Sequence, residues 1–276
     1  MSFSRYPWFI AIAAVLIAAG AGFMMLNQPS APPADNGATD AAAALIELQS
    51  EITEALETLD GRLSHATLAI GRTGLDDDAA RAILADLSAT DPAIVDCTVS
   101  NTEGTLIAIE PAEYRGTEGA DIRDQLHVQH ILASKRPIMS EVITVAEGFP
   151  AVVINAPIFT GEGQFVGISS IVFHPELLIA ELVAKDSPFD TMVVQTDGRI
   201  LYDTDPTQIG RMTFEDPLYA DYPDLLDAAR RVSAERYGTV TYVFGTDGQA
   251  VQKEITWTTA GLHGVEWRVA VIREIG

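Results

Sequence analysis

Two stretches of this chain, Thr98-Val-Ser-Asn-Thr-Glu-Gly-Thr-Leu-Ile107 and Met192-Val-Val-Gln-Thr-Asp-Gly-Arg-Ile-Leu-Tyr202, share one logic. Each is an apolar strand, a Thr-acid-Gly turn and a second apolar strand, which is a hairpin signal. In each, a glycine follows about a dozen residues on, at Gly116 or Gly119 in the first copy and at Gly210 in the second. The surroundings also repeat. Strand patterns at Ile94–Val99 and Thr105–Ile109 are followed by a helical insert at Asp124–Ser134. Three more strand patterns come next, at Met139–Val145, Ala151–Ile158 and Gln164–Val172, with turns at Glu147-Gly148 and Gly161-Glu-Gly163. After the second copy come a helix at Asp224–Arg236 and strands at Thr239–Phe244, Val251–Trp257 and Glu266–Ile272, with a turn at Gly245-Thr-Asp-Gly248. An internal repeat of this kind predicts two homologous domains in tandem, each with an antiparallel sheet, in an α/β (α+β) fold. The boundary falls near Lys185–Pro188, which gives domains over 76–186 and 187–276.

Upstream of the repeat, 40–75 reads as a long helix, from about Asp40 to Gly71. Leu45, Gln49, Ile52, Leu56, Leu59, Leu63, Ala66 and Ile70 fall at gaps of four and three and hold one face for eight turns. Such a helix serves as a spine on which smaller domains dock, or pairs with a second copy of the chain. A shorter helix is expected over Asp76–Ala89, with Asp76, Asp77 and Asp78 suiting its first turn. The sharper reading of those aspartates, a calcium loop, lacks the ligand spacing.

The run Trp8–Leu26 is 19 residues without a charge. As a helix it reaches ~28 Å, close to the thickness of a bilayer core. Arg5 precedes it, and the next basic residue is Arg62. That asymmetry places the N-terminus in the cytoplasm and the remainder outside. Residues 1–26 are therefore read as a membrane anchor, and 27–39, rich in Pro, Ala, Asn and Asp, as a linker. A signal peptide cleaved after Ala21 is the alternative. No cysteine lies near the segment, so a lipidated precursor is excluded. The chain stops at Gly276 without a second apolar segment, a kinase or a methyl-accepting region, so any output is expected from a partner.

The 276 residues carry 39 acidic and 17 basic side chains, a net charge of −22. A field of that sign repels nucleic acid and anionic surfaces. Hydrophobic residues at 47% allow a substantial core. Cys97 is the single cysteine, so an internal disulfide and a zinc cluster are both excluded, and its apolar setting predicts a buried thiol. No Gly-x-Ser-x-Gly elbow, phosphate-cradling loop or His-Glu-x-x-His occurs, so no catalytic residue, cofactor or metal is assigned and the chain is not read as an enzyme. His127-x-x-His130 lacks a third ligand. Asp203-Thr-Asp205 precedes Pro206 and reads as turn chemistry.

The order of these features resembles the double Cache family, the extracytoplasmic sensor modules of chemoreceptors and histidine kinases. The resemblance rests on Asn101-Thr-Glu-Gly104, Gly119-Ala-Asp-Ile122, Ser140-Glu141, Ala156-Pro157-Ile158, Gly163-Gln-Phe-Val-Gly-Ile168, Thr196-Asp-Gly198, Ile209-Gly210 and Trp267-Arg-Val-Ala-Val271. It implies a long helix carrying two PAS-like domains, the first membrane-distal and holding the ligand, the second membrane-proximal. The family's amino-acid-binding version uses Tyr, Arg, Trp, Tyr, Asp and Asp. Ala120, Gln125, His127, Ile143, Val145 and Val172 occupy those places here, so the amino-acid assignment is not carried over.

The pocket wall is expected to include Arg123, Gln125 and His127, with Asn155, Ser140 and Ser170 on strands facing the same cavity. Arg123 and His127 suit a small carboxylate or another anion rather than an amino acid. The plainer reading pairs Arg123 with Asp121 or Asp124 and turns the histidines to solvent. The function expected is a membrane-anchored small-molecule sensor module that lacks its own output domain. It would act as a possible homodimer or through a separate signalling or transport partner, and it would not bind nucleic acid. A free-standing solute-binding protein and a structural envelope module with a vestigial pocket are the rivals. The export argument predicts that a protease added to intact cells digests everything beyond the apolar segment; full protection contradicts it.

Overall fold

The computed structural model describes residues 36–244 and 251–275. The apolar segment 8–26, the candidate cleavage site at Ala21, most of the linker and the turn at 245–248 lie outside the described residues. Residues from Asp40 to the end form one compact unit. Among the described residues no helix is long and apolar enough to cross a membrane.

Helix α1 (Asn36–Thr73) begins inside the expected linker and runs its length on the predicted stripe. Ala41, Leu45, Leu48, Ile52, Leu56, Leu59, Leu63, Ala66 and Ile70 are buried. Leu48 takes the place expected of Gln49, as an apolar side chain should when the two compete for one groove. Gln49 sits at the edge of the stripe, where its Nε2 donates to Thr53 Oγ1 at 3.1 Å and to the Thr259 carbonyl at 3.4 Å. The helix stops where Gly74 takes a φ of +129° and its N–H closes on the Ile70 carbonyl at 3.0 Å. Helix α2 (Asp78–Ser88) starts on Asp77, whose carboxylate accepts the Ala80 N–H at 2.6 Å. Asp76 pairs with Arg81 at 2.9 Å. Two of the three candidate calcium aspartates are thus engaged in capping and pairing.

The first sheet contains β1 (Ile94–Asn101), β2 (Leu106–Glu110), β3 (Ile138–Met139), β5 (Pro150–Phe159) and β6 (Phe165–Phe173) in the order β2-β1-β6-β5-β3, with β4 (Ile143–Thr144) paired to β5. Helix α3 (Leu126–Ser134) lies between β2 and β3 in sequence and packs on β3 and β5. A short helix that the sequence pattern does not announce, α4 (Pro175–Ala180), follows β6. The second sheet contains β7 (Asp190–Gln195), β8 (Ile200–Asp203), β9 (Gly238–Phe244), β10 (Val251–Leu262) and β11 (Val265–Glu274) in the order β8-β7-β11-β10-β9, with α5 (Pro223–Ala234) before β9. The two orders are the same path through the same kind of sheet, and every pairing is antiparallel.

The repeat extends to single hydrogen bonds. Gly104 N–H meets Asn101 O and Gly198 N–H meets Gln195 O; Ile122 N–H meets Gly104 O and Thr213 N–H meets Gly198 O. Gly119, not Gly116, is the counterpart of Gly210. Their N–H groups reach Leu106 O and Ile200 O, each at 2.8 Å, with φ of +87° and +84°.

One face of each sheet packs on the spine. Cys97, Ile154 and Ile171, which lie opposite one another across β1, β6 and β5, share a core with α1, and so do Val193, Trp267 and Val269 of the second sheet. Gln195 ties the halves together, its Oε1 accepting the Val142 N–H at 2.7 Å. Gly104 is needed by conformation and by space: its φ is +81°, and a Cβ there meets the Arg123 Cβ at 2.8 Å and its N at 3.0 Å. Gly104→Ala should lower stability by about 1–3 kcal/mol in urea unfolding. Gly116→Ala, with open space around it and no positive φ, should cost only a few tenths of a kcal/mol. Equal losses would refute this account of the turn.

Candidate functional site

One face of the first sheet is committed to the spine, and the other is free of it. Antiparallel residues directly opposite one another share a face. Asp96 lies opposite Val172, and Val172 opposite Val153; Thr98 lies opposite Ser170, and Ser170 opposite Asn155. These two rows, Asp96-Val172-Val153 and Thr98-Ser170-Asn155, form a buried polar strip on the face away from α1.

Of the expected site residues, the structure brings Asn155 and Ser170 together. Ser170 Oγ donates to Asn155 Oδ1 at 2.8 Å, and Asn155 Nδ2 is buried without a hydrogen-bond partner. Ser140 is buried but occupied, its Oγ accepting the Val153 N–H at 2.9 Å. His127, on α3, is also buried. Burial, with His130 nearby, holds its imidazole down at about 4, so it is neutral at physiological pH and supplies no positive charge. Gln125 is half-buried at the N-terminus of α3. Arg123 lies on the surface, with 57% of its side chain exposed, and its guanidinium binds Asp121 at 2.9 Å. The plainer sequence reading of Arg123 describes its place, and that of His127 does not. The expected anion clamp of Arg123 and His127 is therefore not assembled: one cation is turned to solvent and the other is uncharged.

The residue that sequence reading missed is Asp96. It is fully buried, and neither carboxylate oxygen has a hydrogen-bond partner among the described residues. Burial, reinforced by Glu147, pushes its carboxyl up to about 8. Asp96 stands directly opposite Val172, one of the two valines at the places where the resemblance expects carboxylates. Val145, the other, packs in the same cluster as Val172, with Val95 and Phe149 beside them. A carboxylate is thus present on this face, displaced by one strand.

The repeat supplies an internal comparison. Asp96 precedes Gly104 by the same interval at which Asp190 precedes Gly198, and Asp190 lies opposite Ile272 as Asp96 lies opposite Val172. In the second sheet Lys253 Nζ stands 3.2 Å from Asp190. The residue opposite Val172 on β5 is Val153, and that opposite Ile272 on β10 is Ile255, so the place of Lys253 falls to Ala151 in the first sheet. Among the described residues, one copy carries its own counter-cation and the other does not. The repeat was legible in the sequence and would have aligned the two aspartates, had burial been known.

The corresponding face of the second sheet, under α5, encloses a cavity of about 420 Å³. Asp203 lines it. Burial pushes the Asp203 carboxyl up to about 7, with Asp190 and Asp205 adding to the rise and the Asp205 N–H and Lys253 opposing it. Both aspartates of Asp203-Thr-Asp205 perform the expected turn chemistry, Asp203 accepting the Asp205 N–H at 2.8 Å and Asp205 the Thr207 N–H at 3.0 Å. Asp203 also lines the cavity.

Comparison with known proteins accords with this architecture. Residues 54–175 match the family described as HK/GC/Chemotaxis protein-like, sensor domain. No curated protein sequence matches the chain. Among solved structures, an extracellular ligand-binding receptor from Desulfohalobium retbaense superposes with a TM-score of 0.71 at 26% identity, over 84% of this chain and 40% of that one. This chain therefore spans well under half the length of that receptor. The extracellular domain of a putative histidine kinase, rpHK1S-Z16, gives 0.66 at 16% identity over 87% and 95%. The ligand-binding domain of the Pseudomonas aeruginosa amino acid chemoreceptor PctB, in complex with L-Gln, gives 0.58 at 15% over 84% and 88%. Residues 54–175 thus match a sensor-domain family, and the chain as a whole shares the fold of these extracellular ligand-binding domains.

A raised carboxyl leaves a pH signature. Between about pH 4 and pH 8 the folded state holds a proton on Asp96 that the unfolded chain releases, so stability falls as pH rises through this window. Asp96→Asn removes that slope. In urea unfolding the variant should gain on the wild type steadily from pH 5 to pH 8, by several kcal/mol at most, with a constant difference below pH 4. A difference independent of pH would mean that the Asp96 carboxyl titrates normally.

Proposed function

We propose that this chain is an extracytoplasmic sensor module carried by its apolar segment 8–26, and that it binds a small molecule bearing an ammonium group on the polar face of the first sheet. The observation that carries the reading is Asp96, a buried carboxylate with both oxygens unpaired while its counterpart in the second sheet has a lysine. A buried charge of this kind is strongly unfavourable until a cation and hydrogen-bond donors meet it. A ligand ammonium supplies both. Asn155 Nδ2, a buried donor on the same face, suits an acceptor atom of the same ligand. Two residues along the strand and two strands across separate the backbones of Asp96 and Asn155 by roughly 12 Å. A molecule several bonds long is therefore favoured over a bare ammonium.

This reading departs from the anion expected from sequence, because neither Arg123 nor His127 offers a charge to the face. It restores amines and amino acids to the candidate list, and the amino-acid complex of PctB is consistent with such a ligand class. A thermal-shift screen of amines, amino acids and organic acids on the full chain identifies the ligand through its mass-action stabilisation. Asp96→Asn should weaken binding of the best hit by at least about a hundredfold, as expected for a desolvated charge-assisted contact. Arg123→Ala should leave it unchanged. Binding of an organic acid that is lost in Arg123→Ala and kept in Asp96→Asn would refute the proposal and return the site to an anion.

A further inference from the structure

We propose that the cavity of the second sheet is a ligand site in its own right, which takes an organic cation, an aromatic or aliphatic body with one ammonium held by Asp203. The inference is independent of the site on the first sheet and concerns a different pocket. At about 420 Å³ the cavity falls in the size range of small-molecule sites. Its walls are apolar, with Met192, Val194 and Ile255 from the sheet and Leu225 and Val232 from α5. Four aromatic side chains join them: Phe214, Tyr219, Tyr242 and Phe244. Rings around a partly open volume suit a cation, whose charge is attracted by their π faces.

The charged groups lining the cavity are Asp190, Asp203, Asp205, Glu274 and Lys253. Lys253 is taken by Asp190 at 3.2 Å. Asp205 is taken by Thr207 and Gln208. Asp203 accepts a single hydrogen bond, from the Asp205 N–H at 2.8 Å, and its remaining acceptor capacity is open to the cavity. Tyr219 is held in place by donating its hydroxyl hydrogen to Gln208 Oε1. No charged residue of α5 lines the cavity. An anion would meet three carboxylates beyond the one that Lys253 neutralises. A neutral ligand would leave the Asp203 carboxyl unmatched.

The site is pH-dependent by the same geometry. An ammonium binds the ionised form of Asp203, whose carboxyl burial has pushed up to about 7 against the pull of Lys253. Affinity should rise by about tenfold per pH unit up to 7 and level off above it. Tyr219 and Tyr242 stay protonated across this range, because burial raises both hydroxyls above their ordinary value.

Calorimetry on the full chain tests the proposal with three probes of one shape: 2-phenylethylammonium, 2-phenylethanol and phenylacetate. The ammonium should bind, the alcohol should bind at least about tenfold more weakly, and phenylacetate should not bind. Asp203→Asn keeps the acceptor for the Asp205 N–H, so the fold is retained, and it should cost the ammonium at least about tenfold in affinity and abolish the pH dependence. Ala229→Phe, which places a ring in the cavity wall, should abolish binding. Asp96→Asn should leave it intact. No binding of the ammonium, preference for phenylacetate, or loss of binding in Asp96→Asn with retention in Asp203→Asn overturns the proposal. Only the last outcome speaks for the first sheet, so the two sites are told apart.

Discussion

Everything in this fold hangs on the apolar stripe of α1. Leu45, Leu48, Ile52, Leu56, Leu59, Leu63 and Ile70 are almost wholly withdrawn from water, and they share one core with both sheets. Burial of such side chains is worth about 1.5–3 kcal/mol each, so the stripe is a major part of what holds the two halves together. It also decides where function can sit. A sheet docked on the helix by one face has only its other face left. On the first sheet that face carries Asp96, Thr98, Ser170 and Asn155; on the second it carries the cavity under α5. Both candidate sites are therefore consequences of the spine.

The two sheets show what a duplicated scaffold does with one position. Asp96 and Asp190 occupy equivalent places, opposite Val172 and Ile272. Beside Asp190 a lysine resolves the charge and the cavity lies open around Asp203. Among the described residues no lysine stands beside Asp96, the surroundings include Val145, Val153 and Val172, and the carboxyl is driven upward by burial. A domain that keeps an unpaired carboxylate in an apolar setting gives up stability for it, which is the usual sign of a site completed by a ligand. In the proposed site, Asp96 supplies from the neighbouring strand the carboxylate that Val145 and Val172 lack.

Much of this was legible before the structure. The gaps of three and four along Leu45 to Ile70 announced the spine, and the two Thr-acid-Gly turns announced the repeat, because period and turn chemistry are local properties. Leu48 displaced Gln49 because the sequence pattern alone does not choose between neighbours at the edge of a stripe. The site was legible only in part. Asn155 and Ser170 lie together, as strand alternation leads one to expect. Asp96 was passed over because it lies beside a register shift in the β1–β6 pairing, which no sequence period reveals. Arg123 is held at the surface by Asp121, two residues away, which is the plainer of its two sequence readings. His127 was given a charge that its burial removes. Asp203 makes the expected turn bond to the Asp205 N–H, and its place on the cavity wall is a second feature that the local sequence does not show.

The central claim is that Asp96 is a carboxylate kept unpaired for a cationic ligand. The direct measurement is the carboxyl titration of Asp96 by carbon-13 NMR, in the free protein and at saturation with the ammonium-bearing ligand that most raises its melting temperature. The account predicts an inflection near pH 8 in the free protein, where burial has moved it, and a carboxyl that stays ionised well below that pH once the ammonium is bound. An ordinary carboxylate titration in the free protein, or one that the bound ligand leaves unmoved, would contradict it.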